Sequence, residues 1–180
     1  DEIAEYSKSM GAEVPFLRPS NLADDYTNSF DVVQITIKKL LETYSDLKYV
    51  CCLYATAPLV FIDDLKKSFE IISTLKSDKI LFGATGFDYP VQRALIFDKN
   101  NNVSMLNEEY FYIRSQDLQE TFHDAGQFYW GNVNAWLNSK NALIGGVPFF
   151  IPRWRVQDID NMEDWKRVEI MHKLIEDQVI

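Results

Sequence analysis

Two apolar runs constrain this chain more than any other feature: Tyr49-Val50-Cys51-Cys52-Leu53-Tyr54 and Ile80-Leu81-Phe82-Gly83-Ala84. Neither alternates with polar residues, so each reads as a strand covered on both faces, the habit of parallel strands. Between them Leu65, Phe69, Ile72 and Leu75 recur near the 3.6-residue period and predict a helix, set off by the break Thr56-Ala57-Pro58. Upstream, Asn28 and Asp31 are candidate caps for a helix with apolar positions Phe30, Val33, Ile37, Leu40 or Leu41, and Tyr44. Residues 1–10 read as a helix closed by Gly11, and residues 14–17 as a short strand before the polar loop Arg18-Pro19-Ser20. Alternation of strands and helices of these lengths predicts βαβ crossovers and an α/β fold. Ligands in such sheets bind beyond the carboxyl ends of the strands. That expectation gathers Arg18, residues 54–58 and the carboxylates of residues 158–160 around one crevice.

At 180 residues the chain is expected to be a single domain, residues 1–180. Its formal charge of −9 argues against non-specific nucleic-acid binding, and no apolar run is long enough to span a membrane. Cys51 and Cys52 are adjacent, so in a strand they face opposite ways and do not bond to each other. Reduced thiols and the lack of a secretory pattern make a cytoplasmic protein the expectation.

The pattern changes over residues 87–121. Arg93 to Asp98 and Asn102 to Met105 flank the turn Asp98-Lys99-Asn100-Asn101-Asn102 and predict a hairpin; Tyr110-Phe111-Tyr112 follows. An excursion with exposed aromatics is either a contact between copies, as in a homodimer, or a lid over the same chain. Residues 122–131 return to the core as a strand, with Phe128 and Trp130 on one face and Gln127 and Tyr129 on the other. In residues 152–165, Trp154 and Val156 alternate with Arg155 and Gln157 as in a strand, and Asp160 or Asn161 then caps a helix. Asp158 and Asp160 are two apart, so in extended backbone their carboxylates share a side. Such a pair suits Mg²⁺, which takes one or two carboxylates plus substrate phosphates; the other reading is a helix cap preceded by a solvated Asp.

Six blocks carry a resemblance: Phe16-Leu17-Arg18-Pro19, Tyr54-Ala55-Thr56-Ala57-Pro58-Leu59, Arg114-Ser115-Gln116-Asp117-Leu118, His123-Asp124-Ala125-Gly126-Gln127-Phe128-Tyr129-Trp130, Phe149-Phe150 and Asp158-Ile159-Asp160. In this order they resemble the CMP-sialic acid synthetase family of cytidylyltransferases. The second and fourth blocks resemble the branch of that family acting on pseudaminic acid. The resemblance implies a Rossmann-like nucleotidyltransferase fold of three layers with a dimerisation or lid excursion at residues 87–121. It implies transfer of CMP from CTP to a nine-carbon keto-sugar acid, with Mg²⁺ and release of pyrophosphate, in a homodimer.

Residue by residue, the resemblance implies metal binding by Asp158 and Asp160, with Asp160 as direct ligand. Arg18, Thr27 and Ser29 fall where the family holds and reads the nucleotide. Tyr54, Gly126, Gln127 and Tyr129 fall on the sugar side, and Phe149 with Phe150 on an aromatic pair that packs on an acyl methyl, although plain core packing explains that pair equally. Arg93 and Arg114 lie near basic residues that reach the neighbouring subunit's sugar carboxylate, and Gln92 is an alternative occupant of one of those basic positions, which leaves the register open. The family's Gly/Arg/Lys phosphate loop has no counterpart here. The expectation is therefore an N-terminally truncated chain, either a fragment or a shortened protein, with little activity alone. Rival readings are a sialic or legionaminic acid cytidylyltransferase, a nucleotide-sugar glycosyltransferase with an Asp-x-Asp, and a non-catalytic homologue.

Overall fold

In a computed structural model, which describes residues 2–24, 26–75 and 78–177, helix α1 (Glu2–Ser9) stops at Gly11. Gly11 takes φ 91°, and its N–H and that of Ala12 donate back to the Lys8 and Ser7 carbonyls at 3.0 Å, closing the helix end. The strand expected at residues 14–17 does not form. Pro15 lacks a ladder donor, and the segment pairs with no strand among the described residues; Phe16 lies 4.3 Å beneath the Lys39 ammonium. Helix α2 (Ser29–Leu41) starts where expected: Asn28 accepts from the Asp31 N–H at 2.9 Å and donates to its carboxylate at 2.7 Å. Ile37, on the predicted apolar face, is fully buried. These elements make up one unit, Asp1–Ser45.

The second unit, Asp46–Ile180, holds the sheet. Its elements in chain order are β1 (Tyr49–Leu53), α3 (Ile62–Thr74), β2 (Leu81–Gly86), β3 (Leu95–Phe97), β4 (Val103–Met105), β5 (Phe122–Asn132), α4 (Val133–Asn138), β6 (Val147–Phe150) and α5 (Met162–Glu176). The order is β1-β5-β2-β6: β2 and β6 pair in parallel, while β5 runs antiparallel to both β1 and β2. The crossover through α3 therefore leaves a gap between β1 and β2 that β5 fills, so the sheet is mixed where the apolar runs alone predict parallel neighbours. Ile72, Leu81, Ala125, Phe128 and Ile151 form the core, joined by Leu65 and Trp130. Burial pushes the Cys51 thiol up to about 12, with Cys52 beside it adding to the shift; neither cysteine is in a disulfide.

The excursion forms the predicted hairpin from β3 and β4, a separate two-stranded sheet. Asp98 Oδ1 accepts from the N–H groups of Asn100 and Asn102 at 2.7 and 2.8 Å, and Asn101 takes φ 61° at the tip. This backbone clasp holds the Asp98 carboxyl below its ordinary range. Phe97 is 74% exposed and Tyr112 91% exposed.

Candidate functional site

The stretch at residues 152–160 is where local reading and structure part. Instead of a strand through Trp154 and Val156, Arg153–Arg155 makes one 3-10 turn after Pro152, whose φ of −55° starts it. The reason lies elsewhere in the chain. Arg155 is buried and its Nη1 meets Asp64 Oδ2, in the first turn of α3, at 2.6 Å; its guanidinium also lies 4.2 Å over the Phe61 ring. The Arg155 carbonyl accepts from Gln127 Nε2 at 2.7 Å. Further on, the Ile159 N–H donates to the Thr56 carbonyl at 3.1 Å, so the segment touches the loop after β1. Asn161, not Asp160, caps α5, in a capping box with Asp164.

Asp158 is held between these two anchors and is half-buried, whereas Asp160 is exposed. A Cβ at position 126 would make ordinary contact with Asp158 Oδ2, at 3.5 Å; it is the φ of 62° that asks for glycine there. The other oxygen, Oδ1, is buried without a hydrogen-bond partner. An unpaired carboxylate oxygen is costly unless something positive meets it, so this donor fits a hard cation. Among the described residues no three His, Cys, Asp or Glu converge. The protein's share of such a site is then one or two carboxylates, the habit of magnesium beside phosphates.

Gly126 belongs to an irregularity in β5. A step along β2 from Phe82 to Ala84 corresponds to Tyr129 back to Asp124 on β5, a bulge that turns the intervening residues out of register. Asp124 organises it: Oδ1 accepts from the Gly126 N–H at 3.0 Å and Oδ2 from the Tyr129 hydroxyl at 2.5 Å. Burial, and then the Asp124 carboxylate, push the Tyr129 phenol well above its ordinary value, so it stays a donor. Tyr54 packs on Tyr129 with ring centroids 5.1 Å apart, and its N–H donates to the Gln127 carbonyl at 3.0 Å. Gln127 is only 1% exposed and its side chain ties the Arg155 turn to β5 rather than lining open space. Asp124 and His123 were not singled out from the sequence, although they open the fourth block; what marks them is the bulge, a tertiary feature.

Beyond the carboxyl end of β2 lies a cleft of about 440 Å³, walled by residues 85–90 together with Arg93, His123 and Arg153. A second lobe of about 590 Å³ shares that wall and Arg153 and reaches Gln92, Ser115 and Glu120. Arg93 donates through Nη2 to the Ile113 carbonyl, while its buried Nε has no partner. Gln92 donates to the Gln119 carbonyl at 2.8 Å and leaves its Oε1 unmatched. Arg93 and Gln92 thus line different lobes. Arg114 is exposed and forks onto Asp117 at 2.7 and 3.1 Å. The aromatic pair divides: Phe149 packs on Phe128 in the core, and Phe150, 61% exposed, stands edge-on to Phe122.

The remaining candidates belong to the first unit. Arg18 is exposed, Ser29 is the exposed first residue of α2, and the Thr27 N–H donates to Asp24 Oδ1 at 2.6 Å. That bond, with one from Tyr26, depresses the Asp24 carboxyl.

No protein-family model matches the chain. It is 43% identical over 175 residues to a pseudaminic acid cytidylyltransferase of Campylobacter jejuni serotype O:2, covering 97% of this chain and 75% of that protein. The serotype O:23/36 protein of the same name is 42% identical over the same share of each chain. Among solved structures, a CMP-2-keto-3-deoxy-manno-octonic acid synthetase complexed with CTP aligns at TM-score 0.61 and 10% identity, covering 96% of this chain and 78% of that one. The latter likeness shows the fold, a Rossmann-like α/β fold.

Proposed function

The chain belongs to the pseudaminic acid cytidylyltransferase family, and on that premise we propose that it joins the cytidylyl group of CTP to pseudaminic acid. The enzyme is a nucleotidyltransferase acting on a nonulosonic acid. The anomeric hydroxyl oxygen bonds to the α-phosphorus as the bond to the β-phosphate oxygen breaks; pyrophosphate leaves and the hydroxyl proton is lost. Such a displacement needs charge neutralisation and in-line placement more than covalent chemistry.

The observation that carries this reading beyond kinship is the buried, unpaired Oδ1 of Asp158. Asp158, with the exposed Asp160, would hold Mg²⁺. When bound, the ion supplies positive charge to the phosphate oxygens. Arg155 and Gln127 hold the segment in place, and Gly126 keeps the backbone beside Asp158 in its left-handed turn. Arg18, Thr27 and Ser29 are assigned to the nucleotide. The two-lobed cleft is assigned to the sugar acid: Arg93 offers a cation for its carboxylate and Gln92 an acceptor. Phe150, outside the lining of both lobes, is assigned as an apolar contact for an acyl methyl. Tyr54, Tyr129 and Arg114 complete the sugar side. Residues 87–121 are assigned to a homodimer contact, supported by Phe97, Val103 and Tyr112 lying open to solvent. No described helix is long and apolar enough to cross a membrane.

The test is pyrophosphate release with CTP and Mg²⁺, run with pseudaminic acid and with N-acetylneuraminic acid. Release with pseudaminic acid alone supports the assignment. Release with N-acetylneuraminic acid alone moves the chain to another sugar, and release with UTP as readily as CTP overturns the nucleotide assignment.

A further inference from the structure

We infer that His123 is a sugar-positioning residue that accepts a hydrogen bond from a hydroxyl or acylamino N–H of the sugar acid; the inference rests on the cleft being the sugar site. His123 lies at the amino end of β5, paired across the sheet with Thr85, and lines the cleft with Arg93 and Arg153. Its Nδ1 sits 2.8 Å from the Asp124 carbonyl oxygen. A carbonyl oxygen only accepts, so Nδ1 carries the proton, and in the neutral ring the lone pair is on Nε2. The Phe87 ring, 4.7 Å away at 51°, fixes the plane from one side. No hydrogen bond among the described residues uses Nε2, while Nδ1 is committed to the backbone.

The cleft's other polar groups make this acceptor distinctive. Arg93 and Arg153 can only donate. In the lobe that His123 lines, the carboxylate of Asp88 is already engaged by Arg153 at 3.2 Å, and Arg153 also donates to the Phe87 carbonyl at 3.1 Å; Gln92 and Glu120 belong to the other lobe. A ligand held only by cations would be recognised by its negative charge and little else. A nonulosonic acid also presents donors, its ring hydroxyls and acylamino N–H groups, which an oriented imidazole lone pair can distinguish by position. His123 thus adds shape-dependent selection to the charge selection that the arginines supply.

Two substitutions separate the ring nitrogens. His123→Asn keeps a donor near the Nδ1 position and loses Nε2; His123→Gln reaches the Nε2 position with an amide oxygen. The expected result is a roughly five- to tenfold rise in KM for the sugar acid with His123→Asn, an unchanged KM for CTP, and partial rescue with His123→Gln. Binding of pseudaminic acid alone is followed in parallel by saturation-transfer NMR, which reads the contact even in the absence of turnover. Unchanged sugar binding in both variants overturns the inference, as does an equal loss of CTP binding. Loss of the sugar signal in His123→Asn with a native melting curve supports it. If the wild type releases no pyrophosphate with any nonulosonic acid, the functional reading fails; if it does and His123→Asn matches it, only His123 falls. Absence of sugar binding to the wild type overturns both.

Discussion

In the sheet, Leu81, Ala84, Ala125 and Phe128 are buried, and the buried polar groups Thr85, Gln127 and Arg155 are tied to the Ile151 carbonyl, the Arg155 carbonyl and Asp64. In the excursion, Leu95, Phe97, Val103 and Phe111 face solvent, and the buried atoms Gln92 Oε1 and Arg93 Nε have no partner. One region has met its polar needs within the chain, the buried Trp130 Nε1 aside; the other presents apolar surface and open polar valences to whatever meets it. The contrast separates stability from association: losses in the sheet should unfold the protein, and losses in the excursion should change what it binds.

The sharpest way to break that contrast is at the carboxylates. Asp160→Asn should cut turnover by on the order of a thousandfold while leaving the melting temperature unchanged, because the residue is exposed and its charge serves only the cation. Asp158→Asn should lose turnover similarly with stability unchanged or raised, since the half-buried carboxylate whose Oδ1 lacks a partner loses its charge. Near-normal rates at limiting Mg²⁺ in either variant would dismiss the metal assignment. Next in size are Phe128→Ala and Arg155→Ala, each expected to cost roughly 3–5 kcal/mol in urea denaturation, the first through a cavity and the second by stranding Asp64. Phe97→Ala in the excursion should stay within about 0.5 kcal/mol of wild type; a cost like that of Phe128 would show that the hairpin belongs to the core.

The same contrast marks what was legible beforehand. Helices α2 and α3 follow from local periods and strands β1 and β2 from short apolar runs, and the turn at Asp98 from its own side chain. The order of the strands does not, because the placement of β5 between β1 and β2 depends on pairing between distant segments. The turn at Arg153–Arg155 escaped for a similar reason: its determinant is Asp64, 91 residues away from Arg155. Of the site, Asp158, Gly126 and Arg93 carry recognisable chemistry in sequence. The work of His123 and Asp124 emerges only once the bulge is folded.

Smaller effects refine the excursion's side of the contrast. Phe97→Glu should shift sedimentation towards the monomer without altering the far-ultraviolet spectrum, because a charge placed on a 74% exposed apolar position opposes burial between copies. An unaltered assembly would leave the excursion as a lid. Ser29→Ala should lower the preference for CTP over UTP by only a few-fold, through loss of a single polar partner; an unchanged ratio would make Ser29 a helix-start residue and nothing more.

The antiparallel placement of β5 also sets a timetable. Among the described residues β1 has only β5 as its sheet neighbour, and β2 has β5 on one side and β6 on the other, both made later. On a ribosome adding roughly 5–20 residues per second, β1 waits about eighty residues, or roughly 4–16 s, for β5 to be made. During that interval the apolar edge of Tyr49–Leu53 is open to misplaced pairing. Synthesis speed between β1 and β5, and chaperone occupancy of the nascent chain over that stretch, should therefore govern the yield of folded protein more than the final stability does.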